Sequence, residues 1–253
     1  MAEKIIHVAE NFWNIRGSFR IGGVVDIGTQ ASLVQLPSGN FLLLDSYSFS
    51  DPVRKEIDAI VGDDEIEAIL NLHPFHTIHV ERTHELFPNA RLHGTQRHLD
   101  LFPELPWEEV RCEDQELHEW YSDDLDFTIP RGVDFISANE NVHFASVLVY
   151  HRASDTIHVD DTLMYIRLPR LLSLLGLPDR VGFHPTLAMA LQKREGAAAE
   201  FRDWTAELTD NWSEAKNLCA AHSGNLLDKT NRGASLRERI GKAARRCELI
   251  LGK

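Results

Sequence analysis

Residues 65–87 read EIEAILNLHPFHTIHVERTHELF and carry three histidines within seven residues, His73, His76 and His79. The apolar run before them is typical of a short buried strand, and the spacing of apolar residues after them is typical of a helix. The three histidines are therefore expected where a strand ends and a helix begins, and the first question is whether they hold a metal ion.

The patterns on either side of this stretch predict strands and helices in a definite order. Residues 31–45 hold two apolar runs around a glycine-containing loop at 37–40, which indicates a hairpin. Residues 51–61 read as a helix that Gly62 ends. Strand patterns follow at residues 114–121, 125–130, 133–138, 142–151 and 155–165, and helical patterns at residues 169–176, 186–208 and in the last segment, with a short strand at 215–221. Two packed sheets with helices outside fit this order.

Composition limits the class of protein. The chain has 253 residues, 43% of them hydrophobic, which suits a single domain over residues 1–253. The formal net charge of −13 argues against nucleic-acid binding, because the phosphate backbone requires clustered Lys and Arg. No apolar run reaches membrane-spanning length, and the N-terminus lacks a signal-peptide core. Three separated cysteines favour free thiols over disulfides. We expect a cytoplasmic protein without a membrane or nucleic-acid partner.

Candidate metal ligands lie in separate segments, mostly beside predicted strands. Asp45 ends an apolar strand, and His73 and His76 lie at the strand-to-helix junction. Further along the chain, His143 begins a predicted strand, Asp161 ends one and His222 follows one. Neutral imidazole and carboxylate groups together suit zinc, iron or manganese.

At this point the chain resembles the metallo-β-lactamase fold superfamily. In that superfamily an apolar strand ends in Asp, as FLLLD does at Asp45, and a His-x-His-x-Asp-His motif is followed by a helix and a phrase like the FPNA at residues 87–90. Aligned on that phrase, NLHPFH (71–76) matches the motif with Asn71 for the first His and Phe75 for the Asp, while His73 and His76 keep their places.

The later motifs of the superfamily also occur in order. HFASVLVY supplies His143, DDTLMY supplies Asp161 with Asp160 in a glycine place, and AHSG supplies His222. The resemblance spans nearly the whole chain and implies a four-layer αββα sandwich of two mixed sheets flanked by helices. It also implies His73, His76, His143, Asp161 and His222 as metal ligands and Asp45 as a structural hydrogen-bonding group.

The departures leave each of the two usual metal sites one ligand short. An Asn71 amide replaces one imidazole and the Phe75 ring replaces a carboxylate. Three alternatives stay open: one metal held by a subset of the five ligands, two metals with His79 as a substitute ligand, or no metal. The prediction for His79 rests on a helical turn that would place it beside His76.

The resemblance implies hydrolysis of a small ester-, thioester- or lactone-like substrate by a metal-activated water, with Asp161 as the catalytic carboxylate and zinc as the first choice of divalent metal. One alternative is a mononuclear iron oxidoreductase of the same fold. Another is a degenerate scaffold, metal-binding or metal-free, without catalysis. A homodimer is compatible with the sequence. The sequence does not identify the substrate.

Overall fold

The computed structural model describes residues 3–167, 179–222 and 224–251. The helix predicted at residues 169–176 lies outside them. The described strands are β1 (Lys4–Ala9), β2 (Phe12–Gly17), β3 (Arg20–Ile21), β4 (Val25–Asp26), β5 (Thr29–Gln35), β6 (Phe41–Leu44), β7 (Ile66–Leu70), β8 (Arg91–His93), β9 (Leu125–Thr128), β10 (Leu148–His151), β11 (Thr156–Val159), β12 (Leu163–Ile166), β13 (Arg180–Phe183), β14 (Asn217–Ala220) and β15 (Gly224–Leu226). The described helices are α1 (Asp51–Val61), α2 (Val80–Leu86), α3 (Gln96–Leu101), α4 (Gln115–Trp120), α5 (Leu187–Ala190), α6 (Ala197–Asn211) and α7 (Leu236–Leu251), with a 3₁₀ turn at Asp228–Thr230.

Two mixed sheets form the centre of the fold. The first has the order β1-β2-β5-β6-β7-β8, and the second has the order β15-β14-β11-β10-β9. The pairs β6–β7, β7–β8 and β11–β14 are parallel, and the other neighbours are antiparallel. Two small hairpins, β3–β4 and β12–β13, lie outside these sheets.

Alternation along the strands distributes the apolar side chains into three buried layers. On β6, Leu42 and Leu44 pack between the sheets, while Leu43 packs on the outer face against α1. On β10, Val149 packs between the sheets and Tyr150 packs outward, toward α6. Each sheet is thus apolar on both faces and is covered by helices on its outer face. The predicted four-layer αββα sandwich is confirmed.

Most predicted elements occur near their predicted places, and three do not. Residues 114–121 were predicted as a strand, but they contain α4, which begins after Asp114 and has a fully buried Leu117. The segment predicted as a strand at 133–138 forms only an isolated bridge at Val133. The predicted helix over 186–208 is divided into α5 and α6 at Gly196, which takes a left-handed φ of 84°.

Within the described part of the chain, no helix combines the length and the apolar character needed to cross a membrane.

Gly132 provides a test of how closely the second sheet's helical layer is packed. Gly132 has a φ of +73°, and a Cβ at this position would lie 2.0 Å from the Ala197 carbonyl oxygen. At Gly62, with a φ of +64°, a Cβ would meet no atom within 4 Å.

We expect Gly62→Ala to lower the free energy of unfolding by about 1–2 kcal/mol, the usual cost of a left-handed Ala. Gly132→Ala adds the clash with Ala197 and should cost at least about 1 kcal/mol more. Urea unfolding of both variants measures the difference. Equal losses would contradict the close approach of Gly132 to α6.

Candidate metal site at the edge of the two sheets

The loop that carries His73 and His76 is tied to its neighbours by backbone and side-chain hydrogen bonds. After β7 ends, the Asn71 backbone N–H donates to the His93 carbonyl on β8, and the Leu72 N–H donates to Asp45 Oδ1 at the end of β6. The Val147 N–H of the second sheet then donates to the Leu72 carbonyl. These bonds hold the loop at the edge where the two sheets meet.

Asp161 faces this loop from the second sheet. It follows β11 with a left-handed φ of 36°, and the preceding residue, Asp160, has its carbonyl held by the Ser146 hydroxyl at 2.8 Å. Asp161 is only 3% exposed. The turn after β11 therefore directs two adjacent buried carboxylates toward the histidines.

Three imidazole rings converge on the carboxylate of Asp161. His222 Nε2 lies 3.1 Å from Oδ1, while His73 Nε2 and His76 Nε2 lie 3.3 Å and 3.5 Å from Oδ2. Two nitrogen or oxygen ligands on one tetrahedral zinc, each about 2.0–2.1 Å from it, would be separated by about 3.3 Å. The spacing between donors in this cluster is therefore that of ligands to a shared ion.

The protons of His222 and His76 are fixed by their other ring nitrogens. His222 Nδ1 lies 2.8 Å from the Gly28 carbonyl, which can only accept, so Nδ1 carries a proton and neutral His222 presents a lone pair at Nε2. His76 Nδ1 lies 2.5 Å from Asp160 Oδ2 and donates to it, so Nε2 is the nitrogen directed at Asp161. Metal-ligating histidines are typically held in this way by a carbonyl or a carboxylate.

His73 has a different pattern of hydrogen bonds. Its Nδ1 accepts the Phe75 backbone N–H at 3.1 Å, so the neutral ring carries its proton on Nε2. Burial, with the charge of His76, lowers the pKa of His73 to about 3. Ligation through Nε2 would require this proton to leave or to move to Nδ1 at the expense of the Phe75 contact.

The electrostatics of the cluster favour a cation. Burial alone would raise the pKa of Asp161, but its contacts with His222 and His76 hold the pKa well below the ordinary value. Burial also opposes protonation of His76, but the charge and hydrogen bond of Asp160 raise its pKa well above the ordinary value. Two buried carboxylates thus face one imidazolium.

Two buried polar atoms in the cluster have no hydrogen-bond partner in the described residues, His73 Nε2 and Asp161 Oδ1. Buried polar atoms are rarely left unpaired without a functional reason or an unseen ion. Within the described residues, His73, His76 and Asp161 each offer a ligand atom within 4.8 Å of the others. These three mutually close donors fit one divalent metal ion, and His222 adds a further nitrogen through its 3.1 Å contact with Asp161 Oδ1.

His143 lies beside this cluster, but its Nε2 is engaged elsewhere. It belongs to a loop five residues before β10 rather than to the start of a strand. Its Nε2 donates to the Glu140 carbonyl at 2.7 Å, and its ring stacks on Phe75 with 4.6 Å between centroids. If His143 is a ligand in this conformation, it can bind only through Nδ1, because ligation through Nε2 would require the side chain to give up the bond to Glu140.

Phe75, in the place of the superfamily's carboxylate, forms an apolar part of the wall. The Arg97 guanidinium lies 4.5 Å from the centre of its ring, and Arg97 pairs with the Glu140 carboxylate. These contacts link four residues beside the cluster into one group: Phe75, Arg97, Glu140 and His143.

Asn71 and His79 have structural partners. Asn71 accepts from the Ser46 hydroxyl at 2.6 Å and donates to the His93 carbonyl at 2.9 Å, so both ends of its amide are used. The premise that His76 and His79 share a helical turn is wrong, because α2 begins at Val80. His79 Nδ1 instead lies 2.9 Å from the Ser48 hydroxyl, and its ring packs on Tyr47.

The sequence motif identifies Asp160 only as a substitute for glycine and does not predict its hydrogen bond to His76. The neighbouring His158 is fully buried, with Nε2 2.8 Å from Asp45 Oδ2 and Nδ1 2.9 Å from the Ser32 hydroxyl. The one available signal was the doubled aspartate after a strand that carries a histidine. Asp45, His158 and Asp160 form a second buried group with ligand-like spacing in the described residues, but hydrogen bonds within the protein already satisfy it.

Comparisons with known proteins agree with this geometry at the level of fold. No protein-family model matches the chain, and no curated protein matches it. Solved structures do match: a metallo-β-lactamase from Erythrobacter litoralis with β-mercaptoethanol in its active site has a TM-score of 0.62 and 13% identity, covering 96% of both chains.

Two further solved structures are similar. The metallo-β-lactamase FIM-1 from Pseudomonas aeruginosa, in a mono-zinc form, has a TM-score of 0.61 and 11% identity, covering 98% of this chain and 97% of its own. A metallo-β-lactamase from Hirschia baltica has a TM-score of 0.58 and 14% identity, covering 97% of both chains. At these identities the likeness shows the fold alone, and the resemblance found in the motifs is confirmed at that level.

Asp45 offers a test of the hydrogen bonds that hold the site together. Asp45→Ala leaves the Leu72 N–H and His158 unpaired and places Ala at a left-handed φ of 61°. We expect it to lower the free energy of unfolding by about 3–5 kcal/mol, as breaking a buried pair does.

The matched variant, Asp45→Asn, keeps an oxygen for Leu72 and tolerates the left-handed backbone, so it should cost only about 1–2 kcal/mol. Urea unfolding of both variants makes the comparison. A cost below about 1 kcal/mol for Asp45→Ala would show that these bonds do not stabilise the fold.

Proposed function

We propose that this chain, which has the metallo-β-lactamase fold, is a metal-dependent hydrolase of a small ester-, thioester- or lactone-like substrate. The observation that supports this most strongly is the pair His76 and His222. Each has its Nδ1 proton committed to a fixed acceptor, and each directs Nε2 at the same buried carboxylate, Asp161. That arrangement prepares three ligands for one divalent ion, for which zinc is the first choice.

A divalent ion held by this donor set supplies Lewis acidity, which polarises a carbonyl oxygen and makes a bound water more acidic. Side chains of the protein supply the proton acceptor and position the ligands. Asp161 binds through its carboxylate and accepts a proton from the reacting water at Oδ1, which accepts no hydrogen bond within the described residues. Asp160 holds His76 in position through the 2.5 Å contact at Nδ1.

The surroundings of the cluster favour a substrate with an apolar part. Phe19 stacks on His222, with 6.4 Å between ring centroids, at the base of the β3–β4 hairpin. Three large apolar side chains on segments that adjoin the cluster are exposed: Val24 of that hairpin, Ile78 beside His76 and His79, and Met189 on α5. The hydroxyl of Thr186, which precedes α5, donates to the His143 carbonyl. Exposed apolar side chains on segments that adjoin the ligands suit a substrate with an acyl or lactone group.

A second candidate is a mononuclear iron oxidoreductase. Two histidines and one carboxylate with open positions also suit Fe(II). His76, His222 and Asp161 supply that set without His73, whose Nε2 carries a proton when the ring is neutral. The identity of the bound metal separates the two candidates.

Metal content tests the ligand assignment. Protein purified without added metal should contain about one equivalent of zinc by elemental analysis, and His222→Ala and Asp161→Ala should each lose most of it, because zinc sites in proteins have three or four protein ligands. Asp160→Asn should lower the metal affinity by about 10- to 100-fold, since it weakens the hold on His76.

The control is His79→Ala. This variant removes an imidazole that lies near the cluster in the chain but contacts the Ser48 hydroxyl, so the variant should keep the metal. His143→Ala tests whether this imidazole is a ligand, because loss of metal in the variant would show that it is. Iron with a visible spectrum would favour the oxidoreductase. Undiminished metal in both His222→Ala and Asp161→Ala would refute the assignment.

Activity tests the reaction class. We expect kcat/KM on the best substrate in a panel of small esters, thioesters and lactones to fall by at least about 100-fold in Asp161→Asn, comparable with the loss of a group that acts in the transition state. Removing the metal with a chelator should abolish turnover, and zinc should restore it. A metal-loaded protein that hydrolyses none of the panel would count against the hydrolase.

A further inference from the structure

A cavity of about 530 Å³ lies where β1 and β2 of the first sheet approach β15 of the second. One carboxylate, that of Asp179, lines this cavity. Five cationic side chains also line it: Lys4, Arg16, Arg167, Arg232 and Arg239. None of the proposed metal ligands lines this cavity. The charge of the cavity is opposite to that of the whole chain, which is −13.

Two of these cations form a fixed floor. Arg16 is 2% exposed, and its guanidinium donates to the carbonyls of Ala220 and Ala221 at 2.5 Å and 2.8 Å. Arg239 donates to the carbonyls of Ala234 and Asp179 and to Asn231 Oδ1. All these acceptors are uncharged, so these bonds position the two guanidinium groups without pairing either with a carboxylate, and the carboxylate charge that acts on Arg16 belongs to Asp160.

The other three cations, Lys4, Arg167 and Arg232, are exposed at the mouth. Among the described residues, none of the three forms an ion pair with a carboxylate. Within the described part of the chain, the hydrogen bonds of the Arg232 side chain go to the carbonyls of Lys229 and Asn231. The Asp179 carboxylate accepts from the Tyr165 hydroxyl at 2.9 Å, and its single negative charge is outnumbered by the five cationic side chains that line the cavity.

Gathering like charges in one concave surface is unfavourable unless an anion occupies it. The volume lies within the range of small-molecule sites, about 300–1,000 Å³. Guanidinium groups match the geometry of phosphate oxygens through paired N–H donors. The side-chain amides of Asn225 and Asn231 also line the cavity, and each has a second N–H beside the one it donates within the protein, which can donate to a further oxygen.

We propose that this cavity is a binding site for a small molecule that carries phosphate groups, separate from the histidine cluster. Arg16 and Arg239 form its preorganised floor, and Arg167 and Arg232 close on the anion from the mouth. The site does not depend on the metal or on the proposed hydrolysis.

Inorganic pyrophosphate is a suitable probe, titrated into the purified protein by isothermal calorimetry at fixed ionic strength. The double variant Arg167→Gln/Arg232→Gln removes two exposed charges at the mouth and leaves the buried floor intact. We expect it to weaken binding by at least about tenfold, as the loss of charge-assisted bonds to an anion does.

The matched control is Lys242→Gln/Arg245→Gln, which removes the same charge from exposed positions on α7 that do not line this cavity. It should change the affinity by less than about twofold, since surface charges away from a site contribute little at moderate salt. Thermal unfolding checks that both variants remain folded.

Three outcomes would overturn the proposal: no binding of pyrophosphate by the unmodified protein up to millimolar concentration, equal weakening in both double variants, or undiminished binding in Arg167→Gln/Arg232→Gln. The last result would place pyrophosphate elsewhere, for example at a metal in the histidine cluster.

Discussion

The contact between Asp45 and His158 joins the two sheets at the point on which the site depends. Asp45 ends β6 of the first sheet and His158 lies on β11 of the second, and both are buried. Burial, with the charge of Asp160, raises the pKa of Asp45 to about 6, against the opposing effect of the His158 bond. The buried Asp45 carboxylate is stabilised by its hydrogen-bond partners. One of them, His158, lies on the opposite sheet, and the other, the Leu72 N–H, lies in the loop after β7.

Further buried hydrogen bonds extend this contact along the edge of the sandwich. Gln30 on β5 donates to the carbonyls of Val159 and Cys219 and to Asp160 Oδ1, all on the opposite sheet or directly after its strands. Arg16 on β2 donates to the two carbonyls that precede His222. Apolar packing between sheets is tolerant of small shifts, whereas hydrogen bonds need defined distances and angles. We infer that these bonds set the alignment of Asp161 and His222 with the loop that carries His73 and His76.

The substituted positions of the first motif have taken on roles consistent with their chemistry. Asn71 uses both ends of its amide to link the loop to Ser46 and His93. Phe75 stacks against His143 and lies under Arg97, so an apolar ring occupies the place of a charge. The remaining donors are drawn together at Asp161, which favours one shared ion over two separate sites. Asp160, absent from the superfamily's pattern, supports His76 from the side opposite Asp161.

The sequence by itself determined the layers and the order of the chain through them. Apolar residues alternate or run continuously along the strands and Gly62 ends α1, while the resemblance to the superfamily's motifs identified His73, His76, Asp161 and His222 as candidate ligands. Such features depend on neighbours within a few residues, so they are visible without a structure. Asp114 and Leu117 were misread as part of a strand because a single turn of helix can share a short alternating pattern.

Only the tertiary structure decided which nitrogen of each ring faces the carboxylate. It also decided that His143 turns to the Glu140 carbonyl, that Asp160 orients His76, and that His158 pairs with Asp45. The partners in the last two pairs are 84 and 113 residues apart along the chain. Their contacts depend on how two sheets are placed across an interface, and no local pattern of residues specifies that placement.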